Sequence, residues 1–327
     1  MYLVPILASL MTLIICMYAQ PLALIFKVMD FPDSNRKQHQ FPTPLIGGLA
    51  IALPITGTAI FLAITTELQG FYIALSIATL IAFLIGFADD RFDLSPTIRL
   101  FLSFILCLGI FSGDLGLIVG VLHTSFESNL ISLRSWGGPL TLLAVVGFIY
   151  AFNMTDGLDG LAIGQALIWS ILLLIIGSHE LNWFLITLAA ILIITLYFNL
   201  TKRLFLGDSG AYAISIIFAI MFIYSYNNVT FVTADMVLLW VLIPVFDCLR
   251  LLITRVARGT SPLSPDNNHL HHYLARLLPH SIVVPTILTF IATGGLLTIL
   301  FSEKAYIWLG VSALLYFTTI VLAEKKR

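Results

Sequence analysis

Residues that could do chemistry gather in five stretches of this sequence. In "AFNMTDGLDGLAIG", residues 151–164, Asn153, Asp156 and Asp159 recur at intervals of three between two apolar runs. On a helix they would share one face. Gly157 and Gly160 argue against an ideal helix beyond Asp156 and let backbone approach a ligand. The simpler reading is a polar loop between spans, but ionisable groups at membrane depth are functional candidates by default. In "GFADDRFDLSPTIR", residues 86–99, the adjacent Asp89 and Asp90 end an apolar run, with Asp93 following. Neighbouring carboxylates stay ionised only with a cation or donors at hand, and acids at a helix C-terminus oppose its dipole; the alternative is a solvated helix end. In "KRLFLGDSGAY", residues 202–212, Asp208 and Ser209 open another apolar run. They suit an N-cap, and with Gly207 and Gly210 they suit a helix N-terminus that receives phosphate; the two roles are compatible.

"SPLSPDNNHLHHYLARLLPH", residues 261–280, holds His269, His271 and His272 within four positions. HxHH is not a standard zinc spacing, and no HExxH occurs. Such a cluster is either solvated or donates hydrogen bonds to phosphate. "DFPDSNRKQHQFPTPLIGG", residues 30–48, holds Arg36, Lys37 and His39. It reads either as a basic loop that sets topology and attracts anionic lipid or as an anion-binding loop. Magnesium takes one or two protein carboxylates together with substrate phosphates, and cationic side chains offset the charge that remains. The five stretches together therefore read as Mg²⁺-assisted phosphoryl chemistry. Residue types alone do not say which reaction.

The elements that position these residues are membrane helices. Of the 327 residues 59% are hydrophobic and 10% charged, against roughly 25% charged in soluble domains; mean hydropathy is +1.03. Apolar runs long enough to span a bilayer recur along the chain, which excludes a soluble protein. They fall at 3–26, 45–65, 71–88, 98–112, 139–153, 161–177, 183–200, 210–227, 235–256, 282–301 and 306–323. The first lacks a basic leader and a clear cleavage site, so it reads as a span. Residues 113–138 read as a loop, re-entrant at most. Cys16, Cys107 and Cys248 are far apart in apolar runs and read as small hydrophobes.

With the N-terminus outside, Arg134 and Lys304 are the two outer basic residues of sixteen, as the positive-inside rule requires. The inner segments carry ten Asp and one Glu, Glu324. Short, stiff carboxylates suit metal and phosphate chemistry. The expected fold is therefore all-α: a polytopic membrane protein of about eleven transmembrane helices, C-terminus cytoplasmic, with residues 1–327 as one domain.

The ordered motifs "PDSNRKQH…PLIGG", "GFADDRFDLSPTIR", "NMTDGLDGLAIG", "FLGDSGAY" and "PDNNHLHH", spanning residues 21 to 273, resemble the polyprenyl-phosphate N-acetylhexosamine-1-phosphate transferases, the MraY/WecA/TagO-like glycosyltransferase family 4. "RFDLS", "HLHH" and "PLIGG" are most similar to the WecA-type branch. The resemblance implies transfer of HexNAc-1-phosphate, with GlcNAc first, from a UDP-sugar to undecaprenyl phosphate, releasing UMP and starting a lipid-linked surface glycan such as O-antigen or a cell-wall polymer. It implies Mg²⁺, with Mn²⁺ as a substitute, and a site on the cytoplasmic face of the bacterial inner membrane. It implies Asp208 and Asn153 as metal contacts, the latter to metal or diphosphate, and Asp89 and Asp90 as an acceptor base or positioning pair. Asp156, Gly157, Leu158 and Asp159 would hold the nucleotide, with Phe205 stacked on uracil. His269, His271 and His272 would lie near the diphosphate, and Arg36, Lys37 and His39 at a basic entrance. A homodimer follows from resemblance alone, and nucleic acid is not an expected partner. Direct in-line attack by the lipid phosphate on the sugar-bearing phosphorus is favoured, with a phospho-aspartate route as the alternative; UDP-linked FucNAc, QuiNAc, GalNAc and MurNAc-pentapeptide remain open as donors.

Three rivals weigh less. An ion-coupled secondary transporter favours inverted repeats and a midplane site, whereas this chain has no evident repeat and gathers its polar motifs at one face. An intramembrane metalloprotease needs a zinc triad, which HxHH does not supply. An inactive relative would have lost motif residues, and every motif keeps its acidic, amide or imidazole groups.

Overall fold

The computed structural model describes residues 2–32, 41–113, 116–177, 180–261 and 268–326. Arg36, Lys37 and His39 lie outside the described residues. The chain forms helices α1 (Leu3–Met17), α2 (Ala19–Phe26), α3 (Gly47–Thr65), α4 (Gln69–Phe92), α5 (Pro96–Phe111), α6 (Gly137–Asn153), α7 (Leu161–Ile176), α8 (Asn182–Leu200), α9 (Gly207–Asn228), α10 (Ala234–Trp240), α11 (Leu242–Ala257), α12 (Leu270–Leu277), α13 (His280–Leu300) and α14 (Ala305–Lys325). Among the described residues seven helices are long and apolar enough to cross a membrane, or nine if each of two bent pairs is one span. Pro96–Phe111 and Leu161–Ile176 are shorter apolar helices.

Two expected spans are broken. α1 and α2 meet at 71°, and α10 and α11 at 78°. In both cases a proline stands four residues after the end of the first helix: Pro21 after Met17, and Pro244 after Trp240. Its ring opposes the carbonyl four residues back, and it has no N–H to donate there. α4 also runs past its expected end at 88, through Asp89 and Asp90 to Phe92. It stops where Asp93 turns left-handed (φ 50°) and donates its N–H to Asp89 O at 2.9 Å.

The fold is not purely helical. β1 (Met29–Asp30) pairs antiparallel with β2 (Thr43–Pro44). Within the expected loop 113–138, β3 (Val121–Thr124) pairs antiparallel with β4 (Glu127–Ser132). Pairing satisfies the facing backbone groups of the two strands locally. The hairpin is anchored by His123 N–H to the Tyr226 hydroxyl (2.7 Å) and by Ser125 N–H to Asp235 Oδ1 (2.9 Å).

The chain divides into two compact units, Met1–Leu115 with Ala162–Ile220, and Gly116–Leu161 with Met221–Arg327. In the first, α1, α3, α4 and α8 pack together, and Trp169 meets Phe218 edge to face at 5.2 Å. In the second, α6 packs on α11, and α10, α12 and α13 pack on α14. There Trp240 Nε1 donates to Thr298 Oγ1 at 3.0 Å. Cys16, Cys107 and Cys248 are buried free thiols.

Candidate active site

In the first unit three motifs converge on the start of α9. The loop before it is clasped by backbone. Phe205 N–H donates to Pro44 O (2.8 Å), and Gly47 and Gly48 N–H donate to Phe205 O and Leu206 O (3.0 Å each). The approach is close enough to require glycine. A Cβ on Gly48 would lie 2.3 Å from Ser209 Oγ and 2.4 Å from Gly210 N. One on Gly86 would lie 2.3 Å from Asp208 O. The "LIGG" and "GFADD" glycines thus let α3 and α4 seat the α9 N-terminus, as small residues do where helix backbones meet in membranes.

Asp90, one turn beyond Gly86 on the same face of α4, completes the clamp. Its Oδ1 accepts from Asp208 N–H (2.8 Å) and its Oδ2 from Ser209 N–H (3.0 Å). The carboxylate caps the positive end of a helix other than its own. Gly207 is left-handed (φ +73°), and a Cβ there would meet Asp90 Oδ2 at 2.7 Å. Asp89 is buried and equally committed: Oδ1 accepts from Leu94 N–H at 2.9 Å, and Oδ2 accepts from Arg99 Nη1 at 2.6 Å. Arg99 Nη1 also lies 3.7 Å from Asp208 Oδ2, and the Asp208 side chain keeps 36% of its surface exposed. The Asp208 side chain is thus partly exposed, whereas that of Asp89 keeps 2%.

In the second unit α6 ends at Asn153, where the expected span 139–153 ends. The 153–160 stretch is a run of turns, so its polar residues do not share a helical face. Thr155 N–H bonds Phe152 O (2.9 Å), Gly157 N–H bonds Thr155 O (3.1 Å), and Gly160 is left-handed at φ +84°. Gly157 packs on a histidine ring: its Cβ would lie 2.8 Å from His271 Cε1. His271 stacks parallel on His269 with ring centroids 5.5 Å apart, and lies 4.2 Å from His272. Burial, then the neighbouring His272 and His269, push the His271 imidazole down to about 3, so it is neutral at physiological pH.

Asp247 joins this cluster although no spacing marks it in "VLIPVFDCLRLL". Its Oδ1 accepts from Arg250 Nη2 (2.7 Å), the Tyr316 hydroxyl (3.0 Å) and Leu270 N–H (3.1 Å). Its Oδ2 faces His269 Nδ1 at 3.0 Å. Arg99, the partner of Asp89, is the other residue that the motifs did not single out; a basic residue ten positions past Asp89 was the available signal.

Asp89, Asp90, Phe205 and Asp208 thus belong to the first unit. Asn153, Asp156, Gly157, Leu158, Asp159, His269, His271 and His272 belong to the second. The donor chemistry fits Mg²⁺. Asp208 offers a carboxylate beside two more acids and one guanidinium, and Asn153 Oδ1 is a buried acceptor without a hydrogen-bond partner. Both are hard oxygens. Among the described residues no group of three His, Cys, Asp or Glu side chains could hold a metal ion by itself.

Comparison with known proteins agrees with these motifs. Residues 72–226 match the model of glycosyl transferase family 4. The undecaprenyl-phosphate alpha-N-acetylglucosaminyl 1-phosphate transferase of Yersinia pestis is 30% identical over 79% of this chain and 72% of its own. That of Escherichia coli K12 is 31% identical over 82% and 74%. A probable undecaprenyl-phosphate N-acetylglucosaminyl 1-phosphate transferase of Bacillus subtilis is 28% identical over 94% and 87%. The chain belongs to glycosyl transferase family 4.

Proposed function

We propose that this protein transfers N-acetylhexosamine-1-phosphate, GlcNAc-1-phosphate first among the donors, from a UDP-sugar to undecaprenyl phosphate. The observation that carries the reading is the partly exposed carboxylate of Asp208, fixed at a helix N-terminus by a clamp of glycines and Asp90. The names of the relatives supply the substrates. The seven long helices, the two bent pairs and the two shorter apolar helices are read as eleven spans in a bacterial inner membrane. The N-terminus is outside, and the site is on the cytoplasmic face.

An oxygen of the lipid phosphate attacks the sugar-bearing phosphorus. The bond from that phosphorus to the UMP oxygen breaks, and its electron pair leaves with UMP. Bound Mg²⁺ would offset charge on the diphosphate and on the leaving UMP. Asp208 would hold it, and Asn153 Oδ1 would offer an oxygen to the metal or a contact to the diphosphate. The histidine cluster donates to diphosphate oxygens. Asp156, Gly157, Leu158, Asp159 and Phe205 serve the nucleotide, and Arg36, Lys37 and His39 a basic entrance. Direct attack is favoured over a phospho-aspartate because Asp89 and Asp90 spend their oxygens on Arg99 and on backbone N–H groups.

The test is transfer of label from a panel of UDP-sugars (GlcNAc, GalNAc, FucNAc, QuiNAc, MurNAc-pentapeptide) into undecaprenyl phosphate by purified protein, with Mg²⁺, Mn²⁺ or EDTA. Metal-dependent transfer that falls at least about 100-fold in Asp208→Ala is expected. Transfer unaffected by EDTA, or none from any donor by folded protein, overturns the reading.

A further inference from the structure

We infer that Asp247 is a positioning residue that fixes the His269 ring so that Nε2, and not Nδ1, meets the ligand; the inference rests on the transferase reading above. Charge balance alone does not call for this arrangement. Arg250 already pairs with Oδ1 of the carboxylate at 2.7 Å, and the Tyr316 hydroxyl and Leu270 N–H bond that same oxygen. Three donors therefore crowd Oδ1, while Oδ2 is given to His269 Nδ1 at 3.0 Å.

A carboxylate accepts only, so Nδ1 carries the proton and donates. The ring is held on its face as well, stacked on His271 within 4° of parallel, and His271 is backed by Gly157. Arg250 Nη2 also bonds Asn268 O, the residue before His269. Edge, face and preceding backbone are thus all fixed, which leaves Nε2 with a lone pair that can take a proton and, once it carries one, donate to a phosphate oxygen. The logic is that of a carboxylate orienting an imidazole in a catalytic triad or a metal site.

Asp247→Asn is an informative change because the three donors around Oδ1 dictate its orientation. The amide oxygen must take that place, so the NH₂ turns to His269. Nδ1 must then accept, and the neutral ring moves its proton to Nε2. We expect kcat to fall about 10- to 100-fold, the range seen when groups behind a functional ligand are removed, with KM for the UDP-sugar changed less. In a His269→Ala background, Asp247→Asn should cost no more than about twofold, since coupled residues are non-additive. Nitrogen NMR of ¹⁵N-histidine protein should place the neutral-ring proton of His269 on Nδ1 in wild type and on Nε2 in Asp247→Asn.

Full additivity in the cycle with active wild type overturns the positioning role and leaves the transferase reading intact. So does a wild-type ring protonated on Nε2, a measurement that needs no variant to fold. Wild-type protein that transfers no sugar phosphate overturns both.

Discussion

Gly86 carries no functional group, yet its substitution should nearly silence the enzyme. A Cβ at this position would stand 2.3 Å from Asp208 O, 2.5 Å from Asp208 C and 2.6 Å from Ser209 Cα. All three are backbone atoms, so no side chain can swing aside. Raising 2.3 Å to the 3.4 Å of ordinary contact takes a shift of about 1 Å, and a misplacement of that size costs on the order of 100-fold in rate. The same shift pulls Asp208 N–H and Ser209 N–H away from Asp90, now 2.8 and 3.0 Å distant. Overpacking adds about 1–3 kcal/mol of destabilisation. Gly86→Ala should therefore lower kcat/KM for transfer into undecaprenyl phosphate about 100-fold while the protein still purifies as folded helix. Gly57→Ala is the control: nothing lies within 4 Å of its Cβ, and it should be active and stabilised by about 0.5–1 kcal/mol. A Gly86→Ala enzyme within about threefold of wild type would refute the clamp, since the displacement argument requires a far larger loss.

Arg99→Ala leaves the Asp89 carboxylate buried without its guanidinium, which should cost about 3 kcal/mol or more in detergent melts; Asp89→Asn in the same background should recover part of it. His271 gives a pH signature. Its ordinary value of 6.5 falls to about 3 in the fold, so the folded state binds fewer protons than the unfolded one below 6.5. The contribution is fully present above pH 6.5 and is lost as pH falls towards 3. Melting temperature should drop across that window, and His271→Asn should flatten this part of the profile.

The helices were readable because hydropathy reports the length of an apolar run: all eleven runs became helices or helix pairs, seven of them, or nine with the bent pairs, long enough to cross a membrane among the described residues. Hydropathy does not report direction. Pro21 and Pro244 sit at the two breaks, but Pro54 and Pro285 lie inside unbroken α3 and α13, so proline alone does not separate a bend from a straight span. The β3–β4 hairpin escaped because Ser125 and Phe126 at its tip carry no Asn-Gly or Gly-Gly signal. Asp89, Asp90 and Asp208 were legible as a set through their motifs. Their division of labour was not, since it depends on which carboxylate finds backbone N–H groups 118 residues away. Asp247 was invisible for the same reason: its partners come from α11, α14 and the residues entering α12, and none stands at a recognisable spacing.

Asp90 is where that division can be tested against the alternative of an acceptor base. A phosphate monoester with a second pKa near ~6 is already largely ionised at neutral pH, so a base has little to remove. A clamp, by contrast, needs two acceptor oxygens for two N–H groups, and the carboxylate supplies both. Asp90→Asn keeps one acceptor and turns an NH₂ against the other N–H, so the first turn of α9 must shift and Asp208 with it. If the carboxylate is a clamp, the variant should need about tenfold more Mg²⁺ for half-maximal rate, the scale on which groups behind a metal ligand act. A base would lower kcat at unchanged Mg²⁺ requirement. Titrating Mg²⁺ at saturating donor separates the two, and an unshifted midpoint with a lowered rate would return Asp90 to the role of base.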